Sequence, residues 1–588
     1  MATPSRHAVL TPNANSGEKN LSDLIVDYLE MLGVEYVFGV PGGHISAFFE
    51  ALERSQQRGG PRMILTRHES GAANMADGYA RETGKLGVCC ATTGPGATNL
   101  ITGMASAYVD HTPLLVITGQ TALPRFGEGA FQESSPDWLN TAGMMENVTH
   151  YSTVVTHPKQ FEIKLVKALR YALQSPRGPV HFSYSVDLSR RPVPQGMSYP
   201  NLPTLLQRSA SYVDLGASAE LANTLINTLQ SGKRITLLVG HDCINAADDI
   251  VAFAEQINAE IATTQNGKTW IDPYHPLVRG VFGYAGHQTA RRAITDEDVG
   301  LVIALGTRMG QWATSTWDSA LLNEKLAHVH PSDQYFSRTP MARVHVQGTV
   351  KTVIQQLAAR VQNETTLNVT PYEPAEPLPE SAYQNVPAQI EVIDNASYHN
   401  DVVPIHPQRL VWDLMQRRFP ADTRFIVDTT NWMPWTLQYF FTPHQHTYRL
   451  SSELAAMGWG IGAAVGTAIG NRGTPVVCLV GDGGFLMAGQ EITVAIQEQL
   501  PVIYMILNDS SYGMVAHRHQ QVVDDPLKFG FPQVDFTMMA KAMGADGITI
   551  TRPEQLAELD YEAICSRKGP TVLNILIDPD ITAPQGMF

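Results

Sequence analysis

No stretch of this sequence reaches the run of about 18 apolar residues that a membrane-spanning helix needs. None of its five cysteines, Cys89, Cys90, Cys243, Cys478 and Cys565, makes a C-x-x-C pair. The first absence argues against a helical membrane anchor. The second argues against a zinc ribbon or a thioredoxin-like redox pair. Cys89, Cys90 and Cys478 sit inside apolar runs, where a free thiol packs as a small hydrophobe; a reducing, cytoplasmic setting is expected. The first twenty residues lack the apolar segment of a secretory signal, and 1–20 is expected to be a disordered lead. Basic residues are in deficit: 41 Lys and Arg stand against 56 Asp and Glu, a formal net charge of −15. That balance disfavours a non-specific binder of nucleic acid or anionic membrane. Nor does a G-x-G-x-x-G follow a strand with an acid some twenty residues on, which disfavours a nicotinamide dehydrogenase.

What is present is alternation. The 588 residues are too many for one core. Amphipathic helices such as LSDLIVDYLEML alternate with apolar, β-branched strands such as LGVCCATT and PLLVITG. That order predicts parallel sheets covered on both faces. Two further blocks repeat it, with strands RITLLVG, DVGLVIALG and ARVHVQG, then RFIVD, TPVVCLVGD, PVIYMILND and PTVLNILID. The expected fold class is α/β: three doubly wound parallel-sheet domains in series at 21–195, 210–362 and 404–588. Residues 363–403, rich in Pro, Glu and Asn, read as a linker.

Two strand ends of the third block carry chemistry. One runs into Gly481-Asp482-Gly483-Gly484, the next into Asn508-Asp509-Ser510-Ser511-Tyr512-Gly513. Ligands of open α/β sheets bind beyond such ends. Two acids there suit a hard divalent cation such as Mg²⁺, which keeps water and phosphate oxygens in its shell. A helix from about Ala488 would offer its N-terminus to a phosphate. A tight turn with Asp482 as a cap is the competing reading. In the first block, "RHESGAANMADGYA" isolates one acid, Glu69: the next charge is Asp77, and Gly71, Ala72 and Ala73 leave room for close approach.

GDGG followed by a strand ending in Asn-Asp resembles the diphosphate–metal motif of the thiamine diphosphate enzymes, whose second element is usually Asn-Asn. The resemblance extends from about Leu21 to Pro579. It implies that the three domains are pyrimidine-binding, middle and diphosphate-binding. It further implies that Asp482, Asp509 and the Ser511 carbonyl hold Mg²⁺, that Gly481, Gly483, Gly484 and Asn431 contact the diphosphate, and that Met457 props the cofactor into its bent shape. Glu69 would face a cofactor bound by another subunit, so at least a homodimer, or a homotetramer, is implied. There it would hydrogen-bond the aminopyrimidine ring and favour the tautomer that takes the proton from the thiazolium carbon.

Within the family, VFGVPGGHI, TTGPGATNLITGMASAYVDHTPLLVITGQ and Ala130-Phe131-Gln132-Glu133 are most similar to acetolactate (acetohydroxyacid) synthase. On that resemblance Phe131 and Gln132 line the reacting centre and Arg308 holds the carboxylate of a second 2-oxo acid. Arg518 stands where a tryptophan is usual, and His44 where a small residue is usual. Gly42-x-His44 resembles benzaldehyde lyase, in which a histidine shuttles protons. FAD, often bound by the middle domain of acetolactate synthases, is carried as an option, because MGQWAT replaces the usual charged run. The expected function is therefore a carbon–carbon bond ligase or lyase dependent on thiamine diphosphate and Mg²⁺. It decarboxylates a 2-oxo acid and adds the carbanion to a second carbonyl. The alternatives are an acyloin lyase or carboligase without obligatory decarboxylation and, from another class, a non-catalytic binding protein.

Overall fold

The computed structural model describes residues 19–194, 201, 212–364, 372–373, 376–416 and 418–584. Apart from Lys19 and Asn20, the lead expected at 1–20 lies outside the described residues, as do 195–200, 202–211 and parts of the 363–403 segment. Asn20 begins the first helix, Leu21–Met31, through a reciprocal capping box with Asp23.

Three six-stranded parallel sheets follow one another along the chain. The first holds β1 (Tyr36–Gly39), β2 (Arg62–Leu65), β3 (Gly87–Ala91), β4 (Leu114–Gln120), β5 (Tyr151–Val155) and β6 (Val180–Ser185), in the order β2-β1-β3-β4-β6-β5. The second holds β7 (Arg234–Val239), β8 (Glu260–Thr263), β9 (Val278–Val281), β10 (Val299–Leu305), β11 (Leu326–His330) and β12 (Val344–Gln347), in the order β12-β11-β10-β7-β8-β9. The third holds β13 (Arg424–Val427), β14 (Tyr448–Leu450), β15 (Val476–Gly481), β16 (Val502–Asn508), β17 (Asp546–Ile550) and β18 (Thr571–Leu576), in the order β14-β13-β15-β16-β18-β17. The first and third sheets thus share one topology. The middle sheet has the dinucleotide-fold order, with its direction of winding reversing between β7 and β10. Central strands such as β3, β4 and β16 are buried at every position, as parallel strands covered on both faces must be.

The small residues after Glu69 serve the contact between the first and third domains. The helix Glu69–Thr83 lies against the helix Trp459–Gly470. A Cβ added at Gly78 would fall 2.1 Å from the Ala463 carbonyl oxygen, and one at Gly466 would fall 1.9 Å from that of Met75. The two backbones therefore touch, and one apolar cluster spans both domains, including Ala72, Met75, Ala76, Ile461, Ala464 and Val465. The Trp459 indole N–H donates to Asp77, which also accepts from Arg81. Asp110 joins all three domains, accepting from Arg81 and from Ser451, each at 2.7 Å, and facing Arg308 at 3.5 Å. Within the segment read as a linker, Ile390 and Tyr398 belong to an apolar cluster of the third domain. All five cysteines are buried and free.

Candidate active site

In the third domain the C-terminal ends of β13, β15 and β16 converge. Asp482 is 3% exposed and begins the helix Asp482–Ala488. The glycines are therefore the first turn of a helix rather than a loop before one starting near Ala488. Its Oδ1 accepts from Gly483 N at 2.6 Å, and its Oδ2 accepts from Asp509 N at 3.1 Å and Ser510 N at 2.7 Å. This ties the end of β15 to the turn after β16. Asp509 accepts through Oδ1 from the Ser511 backbone and hydroxyl. Asp509 Oδ2 and Asn431 Nδ2 meet over Gly513, where a Cβ would stand 2.3 and 2.9 Å from them. Burial and the neighbouring Asp509 charge push the Asp482 carboxyl well above its ordinary value; burial also raises that of Asp509.

Two adjacent buried carboxylates present oxygens that a cation would neutralise. The donors are oxygens, and no group of three or more His, Cys, Asp or Glu gathers as a metal site among the described residues. The arrangement fits a hard ion such as Mg²⁺ that takes its remaining ligands from water and phosphate. Beside it, the Tyr512 ring covers Gly483 and the Met457 methyl lies 3.4 Å from where a Gly483 Cβ would be. Met457 is 36% exposed, an apolar side chain left open at the rim.

The first domain presents its candidates at the corresponding edge. The segments after β1, β2 and β3 carry His44, Glu69 and Gly94–Gly96, and β4 ends at Gln120. The Glu69 carboxylate is half-buried and accepts from Asn99 Nδ2 at 3.0 Å. It faces Gly96, where a Cβ would stand 3.3 Å from Oε1. Gln132, in the left-handed conformation at φ 57°, lies over Gly94. Its carbonyl accepts from Thr93 Oγ1 at 3.2 Å. His44 packs its backbone against Gly119, and burial lowers its imidazole pKa. Glu133 gathers the surrounding loop by accepting from Gly127, Gly129 and Ala130 amides and the Ser135 hydroxyl. That loop holds Phe131 out to solvent, 79% exposed.

Among the described residues, no hydrogen bond or ion pair joins Glu69, His44 or Gln132 to Asp482, Asp509 or Met457 of the same chain. The third-domain residue beside Glu69 is instead Glu491, a buried carboxylate. Arg308 is also apart. Its side chain is 3% exposed, with Nη1 directed to the Val109 carbonyl and Asp110, and Nε 3.8 Å from Asp242. Among the described residues Nη2 has no hydrogen-bond partner. Arg308 lines a cavity of about 230 Å³ with Asn266, Gln311, Trp312, Ser452 and Glu453. Arg518 is exposed on the helix Gly513–Gln520, beside buried His517, whose Nε2 bonds the Pro579 carbonyl.

Sequence reasoning missed three residues here. Asp428, at the end of β13, accepts from Gly458 N and Gly460 N, each at 2.9 Å, and so fixes the start of the helix Trp459–Gly470; burial pushes its carboxyl up to about 6. Its signal was an acid closing a strand three residues before Asn431. Gln120 donates to the Ser134 carbonyl and steadies the Gln132 loop. Glu491 gave no local signal.

Three family profiles match the chain. They are the thiamine pyrophosphate enzyme N-terminal TPP binding domain over residues 19–139, the central domain over 222–357 and the C-terminal TPP binding domain over 428–575. A probable acetolactate synthase large subunit of Methanocaldococcus jannaschii is 29% identical over 587 residues, covering 96% of this chain and 93% of that protein. The acetolactate synthase isozyme 2 large subunit of Escherichia coli is 29% identical over 572 residues, covering 95% and 96%. A solved structure of a putative thiamin diphosphate-dependent enzyme from Mycobacterium smegmatis superposes with a TM-score of 0.76 at 22% identity, covering 95% of this chain and all of that one. With matches along its whole length and an acid pair of fitting chemistry at two strand ends, the chain belongs to the thiamine diphosphate-dependent enzymes and is similar to acetolactate synthase.

Proposed function

We propose that the protein is a carboligase dependent on thiamine diphosphate and Mg²⁺, which decarboxylates a 2-oxo acid and joins the remaining two-electron fragment to a second carbonyl. The observation that carries this reading is the raised Asp482–Asp509 pair, tied together by amides at two neighbouring strand ends. Asp482, Asp509 and the Ser511 carbonyl hold the metal, and Gly481, Gly483, Gly484 and Asn431 cradle the diphosphate. The bound cofactor supplies a carbon nucleophile that no side chain can provide. Met457 and Tyr512 form an apolar wall that excludes water from the reacting carbon.

Glu69 holds and moves a proton at the ring nitrogen of the cofactor. Its separation from Asp482 within one chain, and the outward Phe131, support a site completed by a second copy of the chain. Gln132 and Phe131 then border the substrate, and Arg518 stands at the outer wall. Arg308, whose Nη2 bonds to none of the described residues, is the anchor for an acidic acceptor reaching the 230 Å³ cavity. No flavin step enters. The mostly buried Asp242 stands after β7, at the switch point where a dinucleotide's pyrophosphate requires donors.

The alternative, acyloin cleavage or formation without decarboxylation, draws on two observations. Arg308 is engaged by Asp110 and Asp242, and half-buried His44 borders the Glu69 edge. Product analysis with thiamine diphosphate and Mg²⁺ separates the two. Carbon dioxide and acetolactate from pyruvate support the first reading. Aldehyde release from benzoin with no turnover of pyruvate supports the second, and His44→Ala should then suppress turnover with cofactor affinity intact.

A further inference from the structure

The helix that begins at Asp482 runs on through a 3-10 turn, Gly489–Glu491, into the helix Ile492–Gln497. Glu491 is 1% exposed, yet among the described residues it makes no ion pair within 4 Å. Its two oxygens accept from consecutive backbone amides of the first domain: Oε1 from His68 N at 2.8 Å and Oε2 from Arg67 N at 3.2 Å. The carboxylate also fills the hollow over Gly71, where a Cβ would lie 2.5 Å from its carboxyl carbon.

Those two amides precede the helix Glu69–Thr83, and a helix start leaves such N–H groups without intrahelical partners. A further amide of the first turn, Ser70 N, donates to His68 Nδ1 at 3.2 Å. The Arg67 side chain reaches the same third-domain helix, donating to Thr493 Oγ1 at 2.8 Å and Gln497 Oε1 at 3.0 Å. The backbone that aims Glu69 is therefore held from outside its own domain. The holding group lies on the continuation of the helix whose first residue is Asp482.

We propose that Glu491 is a positioning residue: by holding the Arg67 and His68 amides it fixes the direction of the Glu69 carboxylate, and it links the diphosphate end of one domain to the proton-handling end of the other. This rests on the role of Glu69 proposed above. A buried acid with only a packing role would not care which two amides it met. A positioning acid must keep both, because the peptide planes on either side of Arg67 set the chain's entry into the Glu69 helix.

Glu491→Gln keeps the volume but turns an amide N–H₂ toward one of the two N–H groups. In the cofactor-free protein, hydrogen exchange at the Arg67 and His68 amides should speed up about tenfold or more, with β3 and β16 unchanged. With thiamine diphosphate and Mg²⁺, deuterium exchange at the thiazolium C2 and kcat should both fall about 10- to 100-fold, at an unchanged cofactor Kd. Glu491→Asp, which retracts the carboxylate by one methylene, should give the same pattern and serves if the Gln variant does not fold. Glu69→Gln is run in parallel. Wild-type C2 exchange in that variant would sink the role of Glu69 itself. Slow exchange in Glu69→Gln with wild-type amide and C2 exchange in the Glu491 variants would overturn only the positioning role. So would a loss of global stability and cofactor affinity in proportion to the loss of rate.

Discussion

The first and third domains are two copies of one topology put to different uses. Both order their strands 2-1-3-4-6-5, and both present turns at the same edge of the sheet. The strands in the third place, β3 and β15, show the contrast. After β3 the chain turns through Gly94 at φ 64° into Pro95, which opens a helix without any acid. After β15 it turns through Gly481 into Asp482, whose carboxylate accepts three amides. One turn holds a close-packed surface under Glu69 and Gln132; the other presents the acid pair proposed above as the metal site. The helices after the edge strands β2 and β14, Glu69–Thr83 and Trp459–Gly470, occupy corresponding places and pack on one another. The scaffold thus fixes where chemistry is presented, and a single residue at a helix start decides which chemistry it is.

The largest expected effect comes from removing the acid on either side of this pair. Glu69→Gln should lower kcat by about 10²- to 10⁴-fold, the usual worth of a proton-transfer group, with cofactor and Mg²⁺ still bound. Asp482→Asn should instead lose Mg²⁺-dependent retention of thiamine diphosphate, measured by equilibrium dialysis. If the two variants behaved alike, the division of labour between the domains would be broken. Asp509→Asn sharpens the contrast: an amide oxygen still ligates, so cofactor retention should change only a few-fold.

The domain contact comes next. Gly466→Ala places a methyl 1.9 Å from the Met75 carbonyl oxygen. Overpacking of this kind costs about 1–3 kcal/mol, read by denaturant unfolding. An Ala in an open helix position would be stabilising, so a neutral result would show that the helices do not touch.

The smallest effect is in pH. Burial pushes the Glu491 carboxyl up to about 7 from 4.5, against the pull of the Arg67 and His68 amides. The folded protein therefore favours the protonated form. That contribution to stability is complete below pH 4.5 and is lost as the pH rises through 7. Glu491→Gln does not titrate, so the gap in Tm between it and the wild type should narrow across this window.

Much of the scaffold was legible in the sequence. Apolar β-branched runs mark all four central strands of the third sheet, and Gly481–Gly484 and Asn508–Gly513 mark the strand ends that carry the acids. The helix start was misplaced: it was expected near Ala488, whereas the fold begins the helix at Asp482 and uses the glycines as its first turn. Arg308 lay in a visible motif, but its engagement with Asp110, about 200 positions away in the chain, has no local trace. Glu491 was hidden for the same reason: in GQEITVA it looks like an ordinary helix acid, and only the first domain's backbone makes it a buried acceptor.

The sequence by itself determined the three α/β domains, the acid pair and the place of Glu69 before a run of small residues, because strand periodicity, turn chemistry and motif spacing are local properties. The tertiary structure alone decided that the small residues after Glu69 meet a helix backbone, that Asp110 is shared by three domains, and that Glu491 holds the turn before Glu69. Those depend on which surfaces the domains bury against each other, and no short stretch of sequence records its partner across such a contact.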